Sequence, residues 1–211
     1  MFTVTVPAED RKLLTIEQLR EAAGLEAGDV SRDGALESLG LAVADRIAQE
    51  CAVTSDGVHI PTLKRETVSQ TFRLSSSVSA LILARRFVAS VSSLTIDGVA
   101  AAASDYELAA AAGMTRRLYD GRYGLWCPAV VVVSYQAGFS AVPDDLALAA
   151  MQAVQEQWSA KNRDPLLKRD KVDGMGEQEF WIGGFGAAGS GSAFSPAVQA
   201  MLDPYRTVWV S

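Results

Sequence analysis

Histidine and cysteine are nearly missing from this 211-residue chain: His59 is its one histidine, and Cys51 and Cys127 are its two thiols. With one imidazole, no His-based metal site and no Ser-His-Asp triad can be built without His59, which sits beside Ile60 and Pro61 with no nearby nucleophile. A structural or exposed histidine is the expectation. Two cysteines in unlike contexts exclude a disulfide framework and a thiolate metal cluster, and fit two reduced core thiols. Long hydrophobic runs are also missing. No stretch approaches the roughly 18 apolar residues of a membrane span, and Met1 to Glu9 lacks the basic flank and apolar run of a signal peptide, so a soluble chain made in a cytoplasm is expected. An excess of basic residues is missing too. A net charge of -6 and a pI near 4.9 argue against a protein that grips phosphates over a broad face.

What the chain does contain is apolar material, at 49% of residues, enough for a packed core. Its organising stretch runs from Ala129 to Trp158. Val130, Val131, Val132 and Val133 form a β-branched run through Ser134 and Tyr135 that suits a strand buried on both faces, closed by Gly138. Val142, Pro143, Asp144 and Asp145 then read as a helix start, with Pro at the first helical position and carboxylates at the positive end of the dipole. Leu146, Ala149, Ala150, Ala153, Val154 and Trp158 give that helix one apolar stripe.

Upstream, residues 1–14 read as an extended lead-in with alternating Phe2, Val4 and Val6. Thr15 and Gln18 match a capping box, opening a short helix that buries Ile16, Leu19, Ala22 and Ala23 before Gly24 stops it. A second helix, from about Val30 to Cys51, buries Leu36, Leu39, Val43, Ile47 and Cys51. Gly34 and Gly40 weaken it, either as close approaches of a neighbour or as tolerated positions; tolerance is expected, since helical Gly costs only ~1 kcal/mol.

From Ser55 to Ser140 the hydrophobic period becomes two, which reads as an inserted β module. Asp56–Gly57 marks a turn, and Val68, Phe72 and Leu74 share a strand face with Gln70 as an exception. Further strand candidates are 80–83, 87–96, 106–108 and 115–119. Asp97–Gly98 is the strongest hairpin signal. Beyond the long helix, Lys161, Arg163, Lys168, Arg169 and Lys171 form a basic segment, read as a solvated helix end or as a contact for DNA or an acidic neighbour. Residues 174–193 are rich in Gly and Ser and expected to be mobile. Ser195–Pro196 opens a short helix through Leu202, and Thr207 to Val210 reads as a terminal strand.

The fold class expected is therefore α+β: a small helical bundle, comprising the N-terminal helices and the long C-terminal core helix, with an inserted antiparallel β module and an extended C-terminal tail. Its divisions are 1–54, 55–140, 141–171 and 172–211, within one structural unit overall.

Catalytic motifs fail in context. Gly184, Gly186 and Gly189 spell G-x-G-x-x-G, but no strand, helix or downstream acid completes a dinucleotide fingerprint. Asp144 and Asp145 point about 100° apart on a helix and read as caps, not as a proton-sharing pair. Trp126, Trp158, Trp181 and Trp209 are not interleaved with basic residues, so they read as core or interface anchors. No catalytic, cofactor-binding or metal-ligating residue is assigned.

The order of several segments carries a resemblance. Leu83-Ala-Arg-Arg-Phe-Val-Ala-Ser-Val, Leu94-Thr-Ile-Asp-Gly-Val and Ser104-Asp-Tyr-Glu-Leu resemble the β insert of head-to-tail connector (adaptor) proteins of tailed bacteriophages and gene transfer agents. Val130 to Phe139 followed by Val142-Pro-Asp-Asp-Leu is similar to that family's strand and core helix. Val172-Asp-Gly-Met-Gly, the Gly/Ser loop and Ser195 to Arg206 are similar to its closing segment.

The resemblance implies a structural, non-enzymatic virion protein, made in the host cytoplasm and placed in the neck between capsid and tail. It implies a homo-oligomeric ring of twelve joining the portal protein to a head-closure or other neck protein. Double-stranded DNA would pass through the ring without sequence-specific binding, and neither a membrane nor a cofactor is involved. Trp158, Tyr205, Arg206, Val208, Trp209 and Val210 are candidate assembly or portal contacts. The terminal strand either adds to the portal or folds back on its own β module. A tail-completion protein binding the tail tube is the alternative, and a nucleotide-using enzyme with a pocket at the Gly-rich loop is a further one.

Overall fold

The computed structural model describes residues 1–160, 169–172, 176–179 and 193–207. The chain divides into two compact units, one formed by Met1–Arg11 with Ala52–Ala141, the other by Lys12–Cys51 with the described chain from Val142 onward. Mixed helices and antiparallel sheets make the class α+β.

In the first unit the apolar alternation of the sequence becomes two antiparallel sheets. Strands β1 (Phe2–Val6), β2 (Glu66–Arg73), β3 (Leu81–Ile82), β4 (Val88–Ile96), β5 (Val99–Ala100), β6 (Tyr106–Ala109), β7 (Met114–Tyr119), β8 (Arg122–Gly124) and β9 (Val130–Ala137) follow in chain order. The larger sheet runs β1-β2-β9-β4-β5, the smaller β3-β7-β6, with β8 paired to β7. The valine-rich strand is thus central, paired with β2 on one side and β4 on the other.

Strand β9 is not buried on both faces. Val131, Val133, Tyr135 and Ala137 are at most 2% exposed, whereas the alternate residues are only half-buried, because the core lies against one face of the sheet. Val4, Val68, Leu81, Leu83, Val88, Leu94 and Trp126 complete that core. Trp126 is therefore a core anchor, its indole N–H donating to the Thr115 carbonyl. Leu74 falls just past β2.

Turn chemistry holds the strands in register. Asp97 and Gly98, at φ +48° and +83°, join β4 to β5 in the primed geometry that matches strand twist. A second such pair, Asp120 and Gly121 at +49° and +74°, joins β7 to β8. Gly138 has φ +90°, and a Cβ there would lie 2.3 Å from the Lys64 carbonyl oxygen, so the chain after β9 passes where only glycine fits.

The second unit packs α1 (Ile16–Ala22), α2 (Asp33–Glu50), α3 (Asp144–Ala160) and α4 (Pro196–Leu202), with a hairpin of β10 (Arg169–Val172) and β11 (Gly176–Glu179). The Thr15–Gln18 capping box forms reciprocally. Helix α2 begins at Asp33, three residues later than the apolar pattern suggests; Val30 is 67% exposed and Leu39 half-buried. Gly34 meets nothing, as a tolerated glycine would. Gly40 corrects that reading: a Cβ there would fall 2.9 Å from Leu19 Cδ2, so it admits α1 closely. Pro143 stands just before α3 and not at its first helical position, its carbonyl accepting the Ala147 N–H at 2.9 Å. The apolar stripe of α3 is buried from Leu146 to Val154, while Trp158 is half-buried.

Two further expectations change. The described part of α3 runs to Ala160, and Arg169 and Lys171 lie in a strand instead of a helix end. Cys51 is buried but Cys127 is exposed, so only one thiol belongs to a core.

Candidate functional site

Lys161, Arg163, Lys168, Trp181, Val208, Trp209, Val210 and the Gly184–Gly189 motif lie outside the described residues. So does the 174–193 loop, apart from β11 and Ala193. The described candidates Trp158, Tyr205 and Arg206 stand in the helical unit, where Ser195 caps α4 by accepting the Val198 N–H.

Here the segment from Ala193 to Thr207 is fastened to two helices by carboxylates. Ser195 Oγ donates to Glu156 Oε1 at 2.6 Å on α3, and the Ala193 N–H donates to Glu50 Oε1 at 3.4 Å on α2. At the other end, the Tyr205 hydroxyl donates to Asp145 Oδ1 and the Thr207 N–H donates to the Cys51 carbonyl at 2.9 Å. Arg206 pairs with Asp203 at 3.2 Å and reaches Glu50 at 4.0 Å. Tyr205 is 6% exposed, and burial with the neighbouring Asp145 carboxylate pushes its phenol well above the usual range. Tyr205 and Arg206 thus close their own unit. Asp145 caps as expected, accepting from the Leu146 N–H, and takes the Tyr205 hydroxyl in addition.

In the β unit, polar groups gather around β2 and the start of β4. Gln70 Oε1 accepts from the Ala84 N–H at 2.7 Å and from the Tyr135 hydroxyl at 3.1 Å, which explains a glutamine on an apolar strand face. Arg85 donates to Glu66 at 2.8 Å, and the Phe2 ring lies 5.4 Å from the guanidinium carbon. Burial raises the Glu66 carboxyl and lowers the Arg85 guanidinium from their ordinary values, against the attraction of each for the other.

His59 is structural. Its Nδ1 is 2.9 Å from Asp56 Oδ2, the same oxygen that accepts the Val4 N–H at 3.0 Å, while Oδ1 accepts the Val58 and His59 N–H groups. The loop thereby covers a backbone donor on the outer edge of β1. These hydrogen bonds hold the Asp56 carboxyl far below its usual range. Ser55 stands in the same loop, yet its Oγ donates to the His59 carbonyl and accepts from the Gly57 N–H, so no activated nucleophile is assembled. Among the described residues no cluster of His, Cys, Asp and Glu could hold a metal ion. No described helix is long and apolar enough to cross a membrane.

No family model matches the chain, and no curated protein matches it. Solved structures do. A chain of the "Neck of empty GTA particle computed with C6 symmetry" aligns at TM-score 0.59 and 21% identity, covering 100% of this chain and 97% of the other. The fold is similar to that of a gene transfer agent neck chain.

A chain of the "Virion of native gene transfer agent (GTA) particle" gives TM-score 0.57 at 20% identity, with the same coverage. The "Neck of native GTA particle computed with C12 symmetry" gives 0.50 at 18%, again over 100% and 97%. Each of these likenesses spans both units. The full-length likeness agrees with the family resemblance read from the order of segments, at the level of fold.

Proposed function

We propose that the chain is a structural component of a phage-like neck: a subunit of the adaptor ring that joins the capsid portal to the tail and surrounds the DNA channel. The observation that carries this reading is the full-length fold likeness to chains of gene transfer agent neck and virion structures. The C6 and C12 symmetries in which those necks were computed favour a closed ring of twelve. The protein acts in the virion, and its work is assembly, not catalysis.

Charge suits the role. Residues 12–51 and 142–208 hold seventeen acidic against ten basic residues, while the β unit is nearly balanced, so most of the protein's field repels phosphate. DNA passing through such a ring is not held. The portal and a head-closure protein are the partners on either side, with Trp158 and the C-terminal residues as contacts and the basic stretch 161–171 turned to DNA or a neighbour.

Electron microscopy of the protein mixed with its cognate portal, with each component alone as control, tests this. A ring added to the narrow end of the portal is the expected result. Binding to tail-tube components alone would replace it with the tail-completion reading. Stabilisation by a nucleotide in a thermal-shift screen would point to the enzyme alternative.

A further inference from the structure

Among the described residues of the helical unit, Val30 and Leu148 are the two large apolar side chains more than half exposed, at 67% and 55%. Leu148 lies on α3, on the stripe it forms with Met151, Gln152, Gln155 and Ser159 at helical spacing. That stripe has no ionisable group. From Leu146 to Ala160 the sole charge is Glu156, and it is taken by Ser195 and Gln152. Four helical turns without a free charge are unusual in a chain with 21% charged residues, and depletion of charge around exposed Leu and Met is the composition of an interface core.

The same unit carries a receptor. Leu13, Leu14, Ile16, Leu19, Gly40 and Leu41 line an apolar groove of about 180 Å³. Its rim holds the Lys12–Glu37 ion pair at 2.9 Å, which links the chain before α1 to α2. Gly40 sets the floor, because Leu19 packs where a Cβ would stand. The volume accommodates a branched aliphatic side chain.

We infer that Leu148 of one copy seats in the groove formed by Leu14, Ile16, Gly40 and Leu41 of the next copy. Knob and groove are different patches of one molecule, so the contact is head-to-tail, the kind that closes into a ring when the rotation allows. The inference rests on the ring reading above and names the contact that builds the ring.

The test uses the full chain with Cys127→Ser to remove the exposed thiol, and Leu148→Cys with Leu41→Cys. A short bismaleimide is expected to give a ladder of covalent dimers, trimers and higher species, at least ~10-fold above either single-cysteine chain, while microscopy shows rings. Rings without the ladder overturn the contact and leave the ring reading standing. If the unmodified chain forms no ring, alone or on the portal, both readings fall. Cross-linking of Leu148→Cys to the portal alone overturns the inference in favour of a portal contact.

A second arm guards against misfolding. Leu148→Asp and Leu41→Lys chains, each with an unchanged circular dichroism spectrum, are each expected to lose assembly by at least ~100-fold. Mixing them should restore an alternating ring, since an Asp knob then meets a Lys groove and a Leu knob meets an unaltered one. Assembly of either variant alone at the unmodified level overturns the inference.

Discussion

Arg85 and Glu66 form an ion pair at 2.8 Å with neither side chain more than 6% exposed, inside a unit whose core is built of aliphatic and aromatic side chains. Two guanidinium nitrogens, Nε and Nη1, have no hydrogen-bond partner there, so the pair offsets its desolvation incompletely. Removing one partner strands the other charge. Glu66→Ala, which leaves the Arg85 guanidinium without its acceptor, is expected to cost about 3 kcal/mol in urea unfolding, whereas the double substitution Glu66→Leu with Arg85→Met should be near neutral.

The same pair sets a pH dependence. Burial raises the Glu66 carboxyl above its ordinary value of 4.5, so the folded chain holds this proton more tightly than the unfolded one. The stability this contributes is fully present below pH 4.5 and is lost as pH rises through the raised value. Unfolding measured across pH 4 to 8 should show that loss in the unmodified chain and not in Glu66→Gln.

Asp56 works in the opposite sense. Its carboxyl, 2% exposed and hydrogen-bonded by Val4, Val58 and His59, lies below the ordinary 3.8, so its stabilisation is present above pH 3.8 and lost as pH falls through the lowered value. Asp56→Ala should lose about 2 kcal/mol at pH 7 and show a shallower decline below pH 4, read by the midpoint of urea unfolding. It should also raise amide exchange at Val4.

Tyr205→Phe removes the hydrogen bond donated to Asp145 and keeps the buried ring. A loss of about 1.5 kcal/mol is expected, with faster proteolysis between Ala193 and Thr207. An unchanged melting temperature would mean that the hydroxyl does not fasten the closing segment.

The two glycines of α2 should respond differently to alanine. Gly34→Ala meets open space and should stabilise by about 0.5 kcal/mol through helix propensity. At Gly40 the same gain is offset by displacing Leu19, so Gly40→Ala should be no better than neutral. Thermal melts of the two variants side by side decide it.

Much of this was legible in the residues themselves. The Thr15–Gln18 box, the Ser195–Pro196 start, the Asp97–Gly98 turn and the stripe from Leu146 to Val154 are local patterns, and each formed where its spacing placed it. Asp120–Gly121 carries the same turn signal as Asp97–Gly98 and could have been read in the same way; the strand it opens, Arg122–Gly124, is only three residues long. Gln70 looked like an exception because its partners, Ala84 and Tyr135, lie 14 and 65 residues away.

The sequence by itself determined most of the helices and strands and where many of them begin, because capping, primed turns and side-chain periodicity act within a few residues. It also determined the order of segments in which the neck-protein resemblance resides. Tertiary structure alone decided the rest. Packing placed the valine strand between β2 and β4 with one face on the core, put Leu19 against Gly40, and sent Glu66 to Arg85 and Tyr205 to Asp145. A buried polar group must find whatever partner the fold brings near, and that partner is set by the packing of distant segments.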